Sequence, residues 1–285
     1  MTKKKVLIIG ANSILSIAIF NKLKGVNYEI LGVINQSMTN IPTDFSTISV
    51  NNLFSLNNDF DTVFFISAYI PKKEILNDIH KLYLTHIDLL KKVSEHFSNA
   101  QIIHSSSVSI FKNTGSIMSE QSDIAHQSYY SISKLWAEKI VEKHPKGGIN
   151  IRISSLYGEN MKVNSFLPII IKHAIEHKKI TLYGNGSRKQ NYISAPQAAD
   201  YCVAAIDKKS AIPLLAVNSM SYSNLEIATI IKDYLGNIDI EFTGEDTAFD
   251  AVYENNYTLN LLDLAASNTT INSIQQLIKW NQKQY

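Results

Sequence analysis

The sequence predicts an α/β protein, in which a doubly wound parallel sheet is followed by a smaller C-terminal lobe. Short apolar runs alternate with helix-periodic stretches as far as about residue 154, which is typical of repeated βα units. The first run, 5–9, ends at Gly10 and leads into a helical pattern over 13–23. Irregular mixed elements follow. We therefore expect a first domain at 1–158, with a later contribution from about 195–220, and a lobe at 159–285.

Composition excludes several classes of function. The net charge of +2 is spread without long basic runs, so we expect no nucleic-acid partner and no membrane partner. The single cysteine, Cys202, precludes an internal disulfide and favours a reducing compartment, the cytoplasm. The apolar run behind the basic N-terminus, 6–9, is too short for a signal peptide or a membrane span.

Three further patterns predict a ligand site at the carboxyl edge of the sheet, where open α/β sheets bind ligands. The strand at 28–34 is followed by Asn35, and the run at 61–68 ends on Ser67 and Ala68. A third apolar run ends in three serines, 105–107, after His104. Helical patterns continue at 79–96, 166–176 and 195–206.

A tyrosine and a lysine four residues apart, Tyr130 and Lys134, lie on one face of the helix predicted after the serine cluster. An adjacent cation favours the phenolate form, so Lys134 would lower the pKa of Tyr130 and allow it to move a proton at neutral pH. By itself the spacing is a weak signal, because most such pairs lie on a solvated helix face. Its position after a nucleotide-binding turn and a strand that ends in serines makes it informative.

In this order of motifs the chain resembles the short-chain dehydrogenase/reductase family, and within it the extended branch that acts on nucleotide sugars. The resemblance implies a Rossmann-type fold that binds NAD or NADP. Gly10, Ser13 and Ser16 stand where the family has three glycines that approach the cofactor pyrophosphate. The cofactor contacts that it implies are Gly10, Asn12, Ser13, Ile14, Asn35, Ser67, Ala68, Tyr130 and Lys134.

The resemblance also implies the catalytic roles. Tyr130 is the general acid or base on a sugar oxygen, Ser107 hydrogen-bonds that oxygen, and Lys134 orients the nicotinamide ribose. Ser106 is the alternative to Ser107. The residues after Ser107, Val108 and Ser109, are not the Asp-Glu pair of the family's 4,6-dehydratases. The family's epimerase-reductases use a cysteine acid near this position, and the only cysteine of this chain is distant in sequence, so that activity is not expected. Leu82 and Tyr83 stand where the family often has an asparagine that supports a proton relay.

The substrate contacts are predicted in the second half of the chain. The run 183–193 resembles the branch's Tyr-Gly-Asp-Gly-Ser-Arg-x-Gln-Asp-Phe pattern, in which Arg188 would clamp the diphosphate. Gln190, Tyr157 and Ser107 complete the predicted substrate contacts. His173 and His177 have metal-ligand spacing but no third ligand, so no metal site is predicted.

We predict a 4-ketoreductase that reduces a nucleoside diphosphate 4-keto-6-deoxyhexose, as used in bacterial surface-polysaccharide pathways, with Tyr130 as proton donor. Asn35, followed by Gln36 and Ser37, lacks the acid that binds the ribose of NAD, which favours NADP. The alternatives are a 4-epimerase of a nucleotide sugar with tightly bound NAD, and a dinucleotide-binding sensor that catalyses nothing. A homodimer is expected, through a four-helix bundle of 79–96 and 129–143.

Overall fold

The computed structural model describes residues 3–35, 40–71, 75–125, 128–163 and 165–284. Gln36 and Ser37, which formed part of the cofactor prediction, lie outside the described residues.

A parallel sheet of seven strands forms the centre of the molecule and confirms the predicted fold class. In chain order its strands are β1 Lys4–Ile9, β2 Tyr28–Ile34, β3 Thr47–Ser49, β4 Thr62–Phe65, β5 Gln101–Ser107, β6 Gly148–Ile153 and β11 Leu214–Ala216. They lie in the order β11-β6-β5-β4-β1-β2-β3. The connections reverse direction between β1 and β4, and this switch point is where open α/β sheets bind ligands.

Short strands and nine α-helices of the described chain complete the fold. The strands are β7 Ser155–Tyr157, β8 Lys179–Tyr183, β9 Lys189–Gln190, β10 Tyr192–Ser194, β12 Tyr222–Ser223 and β13 Asp239–Thr243. The helices are α1 Ile14–Leu23, α2 Leu76–Leu82, α3 Leu89–His96, α4 Tyr129–Glu142, α5 Phe166–His177, α6 Ala195–Ala204, α7 Asn224–Leu235, α8 Asn256–Leu262 and α9 Thr270–Gln282. In the described chain, no helix is both long and apolar enough to cross a membrane.

Serine side chains fix where three of these helices begin. Ser13 caps α1, and its hydroxyl accepts a hydrogen bond from the backbone N–H of Ser16. Ser128 and Ser131 form a reciprocal capping box at the start of α4, one turn before Lys134. Ser223 and Glu226 form a second capping box at the start of α7.

The predicted helix 79–96 begins earlier, at Leu76, and contains a π-helical turn at 83–88. A π-helical turn inserts one residue and rotates the side chains that follow it. This turn carries His86, which is fully buried, towards α4.

Apolar side chains pack on both faces of the sheet, and a separate core forms among α5, α7, α9 and β8. This second core surrounds Tyr157 and Tyr192, whose strands β7 and β10 pair in parallel. The pairing brings two distant stretches of sequence, 155–157 and 192–194, to one place beside the sheet.

The two helical regions that are expected to form a dimer bundle pack one face against the sheet. Leu90, Val93 and Val141 are fully buried on that face. The exposed apolar side chains of these two helical regions lie on the opposite face and are Tyr83, Leu84, Tyr129, Ile132 and Trp136.

Candidate active site

Four predicted site residues lie at the carboxyl edge of the sheet. Gly10, Asn35, Ser67 and Ser107 follow or end β1, β2, β4 and β5, which are four consecutive strands of the sheet. Gly10 has a φ of +93°, and a Cβ there would lie 2.7 Å from the backbone nitrogen of Ser67. Only glycine fits this crossing of the β1–α1 turn over the end of β4.

The two serines that replace family glycines bind each other inside the β1–α1 turn. The Ser13 hydroxyl donates to Ser16 Oγ at 2.8 Å, and the Ser16 hydroxyl donates to the Gly10 carbonyl at 2.8 Å. Ser16 is fully buried. The substitutions therefore fit without opening the turn, because each hydroxyl finds a partner within it.

The start of α1 has the donors that a pyrophosphate needs. Ser13 Oγ takes the N–H of Ser16, whereas the N–H groups of Ile14 and Leu15 have no acceptor within the helix. Together with the helix dipole they suit an anion. Asn12 and Asn35 are exposed on either side of this turn, and Ala68 is exposed beyond Ser67. These residues fit a dinucleotide.

The structure brings Ser107 and Tyr130 together. Ser107 ends β5, and its hydroxyl accepts a hydrogen bond from the backbone N–H of Ser109 at 3.1 Å. The same side chain lies close enough to the phenol of Tyr130 to lower its pKa. Ser106, the alternative, is buried and donates to Glu138 Oε1 at 2.6 Å. Of the two serines, Ser107 is therefore the one beside the phenol.

Lys134 lies one turn along α4 and is 1% exposed. Its ammonium donates to the carbonyl of Ser105 at 2.8 Å, at the end of β5. Burial lowers the pKa of Lys134 to about 7, and the nearby carboxylate of Glu138 opposes that shift.

The expected lowering of the Tyr130 pKa is not what the structure shows. Burial raises the pKa of Tyr130 to about 12, and the neighbouring Ser107 side chain acts in the opposite direction. Tyr130 is thus a neutral phenol at pH 7 in this structure. Its hydroxyl is ready to donate a proton rather than to accept one.

A buried ion pair between β6 and α4 lies next to the site. Arg152 on β6 binds both carboxylate oxygens of Glu138 on α4, at 3.0 and 2.9 Å, and both side chains are nearly inaccessible to solvent. Since Ser106 also bonds Glu138, the pair ties α4 to β5 and β6. This fixes the helix that carries Tyr130 and Lys134 against the end of β5.

Sequence reasoning missed His86. Its Nε2 accepts the backbone N–H of Tyr69 at 2.9 Å, so its Nδ1 carries the proton and donates to Ser133 Oγ at 2.8 Å. Ser133 in turn donates to the backbone carbonyl of Tyr130 at 2.8 Å. Burial and the charge of Lys134 lower the pKa of His86 to about 2. A neutral imidazole thus joins the loop after β4 to the first turn of α4, and the irregular π-helical turn that makes this possible has no signal in the sequence.

The predicted substrate residues fall into two groups. Tyr157 and Gln190 line one small cavity of about 60 Å³ in the C-terminal half, together with Tyr192. The hydroxyls of Tyr157 and Tyr192 are buried and, in the described part of the chain, have no hydrogen-bond partner. Arg188 does not line this cavity and is bound instead to Asp246.

A comparison with protein-family models matches residues 6–216 to the NAD dependent epimerase/dehydratase family. The match covers the sheet, the β1–α1 turn, Ser107, Tyr130 and Lys134. A comparison with curated proteins found no match.

Many solved structures share the fold over the whole chain. The UDP-glucuronic acid 4-epimerase of Bacillus cereus, in complex with UDP-glucuronic acid and NAD, is 18% identical with a TM-score of 0.84, over 99% of this chain and 100% of that one. A UDP-N-acetylglucosamine 4-epimerase of Methanobrevibacter ruminantium is 17% identical with a TM-score of 0.86, over 100% of both chains. TunA, an NAD dependent NDP-hexosamine 5,6-dehydratase, is 12% identical with a TM-score of 0.80, over 98% of this chain and 97% of that one. At these identities the likeness establishes the fold.

Proposed function

Because the chain belongs to the NAD dependent epimerase/dehydratase family, we propose that it is a nucleotide-sugar 4-epimerase with a tightly bound NAD. One observation carries the proposal: Ser107 lies beside the Tyr130 phenol at the carboxyl edge of the sheet, one helical turn from the buried ammonium of Lys134. The two 4-epimerases among the structural neighbours favour this activity over the ketoreductase that the sequence predicted.

In the proposed reaction, Tyr130 takes the proton of the sugar C4 hydroxyl and later returns it to the same oxygen. Ser107 donates a hydrogen bond to that oxygen as it becomes a ketone. Bound NAD would supply reversible hydride transfer at C4 of the sugar. The residues Ile14 and Leu15 would hold the pyrophosphate through their N–H groups, and Lys134 would hold the nicotinamide ribose.

The pKa values set the protonation states of this cycle. With its pKa at about 12, Tyr130 is protonated at neutral pH, which suits the return of a proton to the 4-keto oxygen. Removal of the proton from the C4 hydroxyl needs the phenolate form of Tyr130, which the Lys134 ammonium favours. Because the pKa of Lys134 is about 7, this ammonium is lost as the pH rises through neutrality.

The test is a conversion assay without added cofactor. UDP-glucose, UDP-glucuronic acid and UDP-N-acetylglucosamine are incubated separately with the purified protein, and the C4 epimers are separated by chromatography. We expect one of them to be epimerised, and denatured protein to release NAD. Failure to convert any of the three, in protein that retains NAD, would count against the proposal.

A second candidate function, the 4-ketoreductase, is favoured by Asn35. This residue is exposed directly after β2 and carries no carboxylate for the ribose hydroxyls of NAD. Consumption of NADPH with a 4-keto sugar nucleotide, followed at the reduced-nicotinamide absorbance band, distinguishes the two. A ketoreductase consumes one NADPH for each sugar, whereas an epimerase consumes none.

The non-catalytic sensor differs from both enzymes in its response to Tyr130→Phe. This substitution removes the only group that moves the proton but leaves the pyrophosphate site intact. An enzyme would lose turnover and keep its bound dinucleotide. A sensor has no turnover to lose, so the variant would bind dinucleotide as the wild type does and differ from it in neither measurement.

We further propose that the protein forms a homodimer through the exposed apolar face of α4 and the π-helical turn. Ile132 and Trp136 on α4 lie one turn apart and are 40% and 53% exposed. Tyr83 and Leu84 extend this surface on the neighbouring helical segment. A second copy of the same face would cover it.

A further inference from the structure

The chain contains two arginines, and both are ion-paired in this structure. The Arg152 guanidinium is ion-paired with Glu138 and is buried. Arg188 bonds Asp246 through its Nε at 2.6 Å, and these two side chains are 26% and 15% exposed. Arg188 is therefore the guanidinium that a ligand in solution can reach.

The carboxylate of Asp246 is held in place by its own loop. Its Oδ1 accepts the backbone N–H of Ala248 at 3.2 Å, while Oδ2 takes the hydrogen bond from Arg188. The orientation of this carboxylate thus does not depend on Arg188 alone. The arginine side chain can leave while Asp246 stays where it is.

Backbone contacts press the Asp246 loop against the segment that carries Arg188. Lys189 donates its N–H to Asp250 Oδ1 at 2.8 Å, and its carbonyl accepts the N–H of Ala251 at 2.8 Å. On the other side, Gly184 has a φ of +60°, and a Cβ there would lie 3.1 Å from the backbone nitrogen of Asp246. The absence of a side chain at Gly184 lets the two segments approach closely.

We propose that Asp246 is an internal counter-anion, which occupies Arg188 until the diphosphate of the substrate displaces it. The inference rests on the proposed function, and adds to it the diphosphate contact that the family resemblance implies for Arg188. A guanidinium presents a planar fork to a carboxylate or a phosphate, so the two anions compete for one site. A ligand that carries a diphosphate displaces Asp246, whereas a neutral nucleoside does not, and Asp246 thereby sets the selectivity of the site for charged sugar donors.

The competition predicts a gain of affinity on mutation, which is the opposite of what loss of a substrate contact would produce. UDP is used as the probe, with calorimetry on dinucleotide-loaded protein at low ionic strength. We expect Asp246→Asn to tighten UDP binding about fivefold or more, in line with a partly exposed charged hydrogen bond. Arg188→Gln should weaken binding and should cancel the gain in the double variant.

Asp250→Asn is the matched control, because this carboxylate belongs to the same loop but bonds the backbone of Lys189 instead of Arg188. It should not tighten UDP binding. Unchanged or weaker binding by Asp246→Asn, or a gain that survives in the Arg188→Gln background, overturns the inference. If the wild type binds UDP and Asp246→Asn gives no gain, only the counter-anion is refuted; if no variant binds UDP, the proposed function fails with it.

Discussion

Replacing His86 with glutamine removes a buried imidazole that cannot accept a proton in the folded protein. Nε2 of His86 already takes the N–H of Tyr69, so a proton on this nitrogen would face another donor. Glutamine offers one acceptor and one donor, and can keep the bonds to Tyr69 and Ser133 without titrating. The variant therefore separates the geometry of the clamp from its protonation.

The magnitude follows from the pKa values. The pKa of His86 is lowered from 6.5 to about 2 by burial, so between these values the unfolded chain binds a proton that the folded chain does not. Stability from this group is fully present above pH 6.5 and is lost as the pH falls towards 2. Each pH unit below 6.5 lowers the free energy of unfolding by about 1.36 kcal/mol, so the loss reaches about 2.7 kcal/mol at pH 4.5.

Urea unfolding of the wild type and of His86→Gln between pH 7.5 and pH 4.5 measures this difference. Groups other than His86 titrate in both proteins and cancel in the comparison. The difference between the free energies of unfolding of the two proteins should therefore shift in favour of His86→Gln as the pH falls, by about 2.7 kcal/mol at pH 4.5. His80→Gln, on the exposed side of α2, controls for the loss of an imidazole as such. Parallel curves for wild type and His86→Gln would refute the buried neutral clamp.

Three further substitutions test other parts of the account. Tyr130→Phe should lower kcat by roughly 10²- to 10⁴-fold at unchanged dinucleotide content, and a smaller loss in a chromatographic rate assay would remove the phenol from proton transfer. Arg152→Met should lower the free energy of unfolding by about 3–5 kcal/mol, because Glu138 is left buried and unpaired; denaturant titration showing a loss below about 1 kcal/mol would contradict this. Trp136→Glu should shift the particle to half its mass in light scattering if the exposed face of α4 joins two copies, and an unchanged mass would disprove that interface.

The parallel sheet and the order of its ligand-facing turns were predictable from the sequence. Buried parallel strands appear as short apolar runs, and Gly10 marks a turn that no other residue can make. Ser107, Tyr130 and Lys134 were assigned by resemblance, and the structure brings the first two into contact. Local capping chemistry explains why helices begin at Ser13 and Ser223 in the structure.

Other features depend on partners that are distant in sequence. The burial that raises the Tyr130 pKa and lowers the Lys134 pKa comes from packing between α4 and β5, and no local pattern reports it. Apolar periodicity alone did not tell whether Leu90 and Val93 face the sheet or a second copy, and the structure buries both against the sheet. Arg188 was predicted to clamp the diphosphate, and its ion pair with Asp246 was not predicted because the two residues are far apart in sequence.

The central claim is that Tyr130 moves a proton while the hydride of C4 leaves and returns within the site. Proton NMR of a convertible UDP-sugar, incubated with the enzyme in deuterium oxide without added dinucleotide, tests it most directly. The account predicts a C4 epimer that retains protium at C4 with the wild type, and no epimer with Tyr130→Phe. Deuterium at C4 of the product, or an equal rate with Tyr130→Phe, would contradict it.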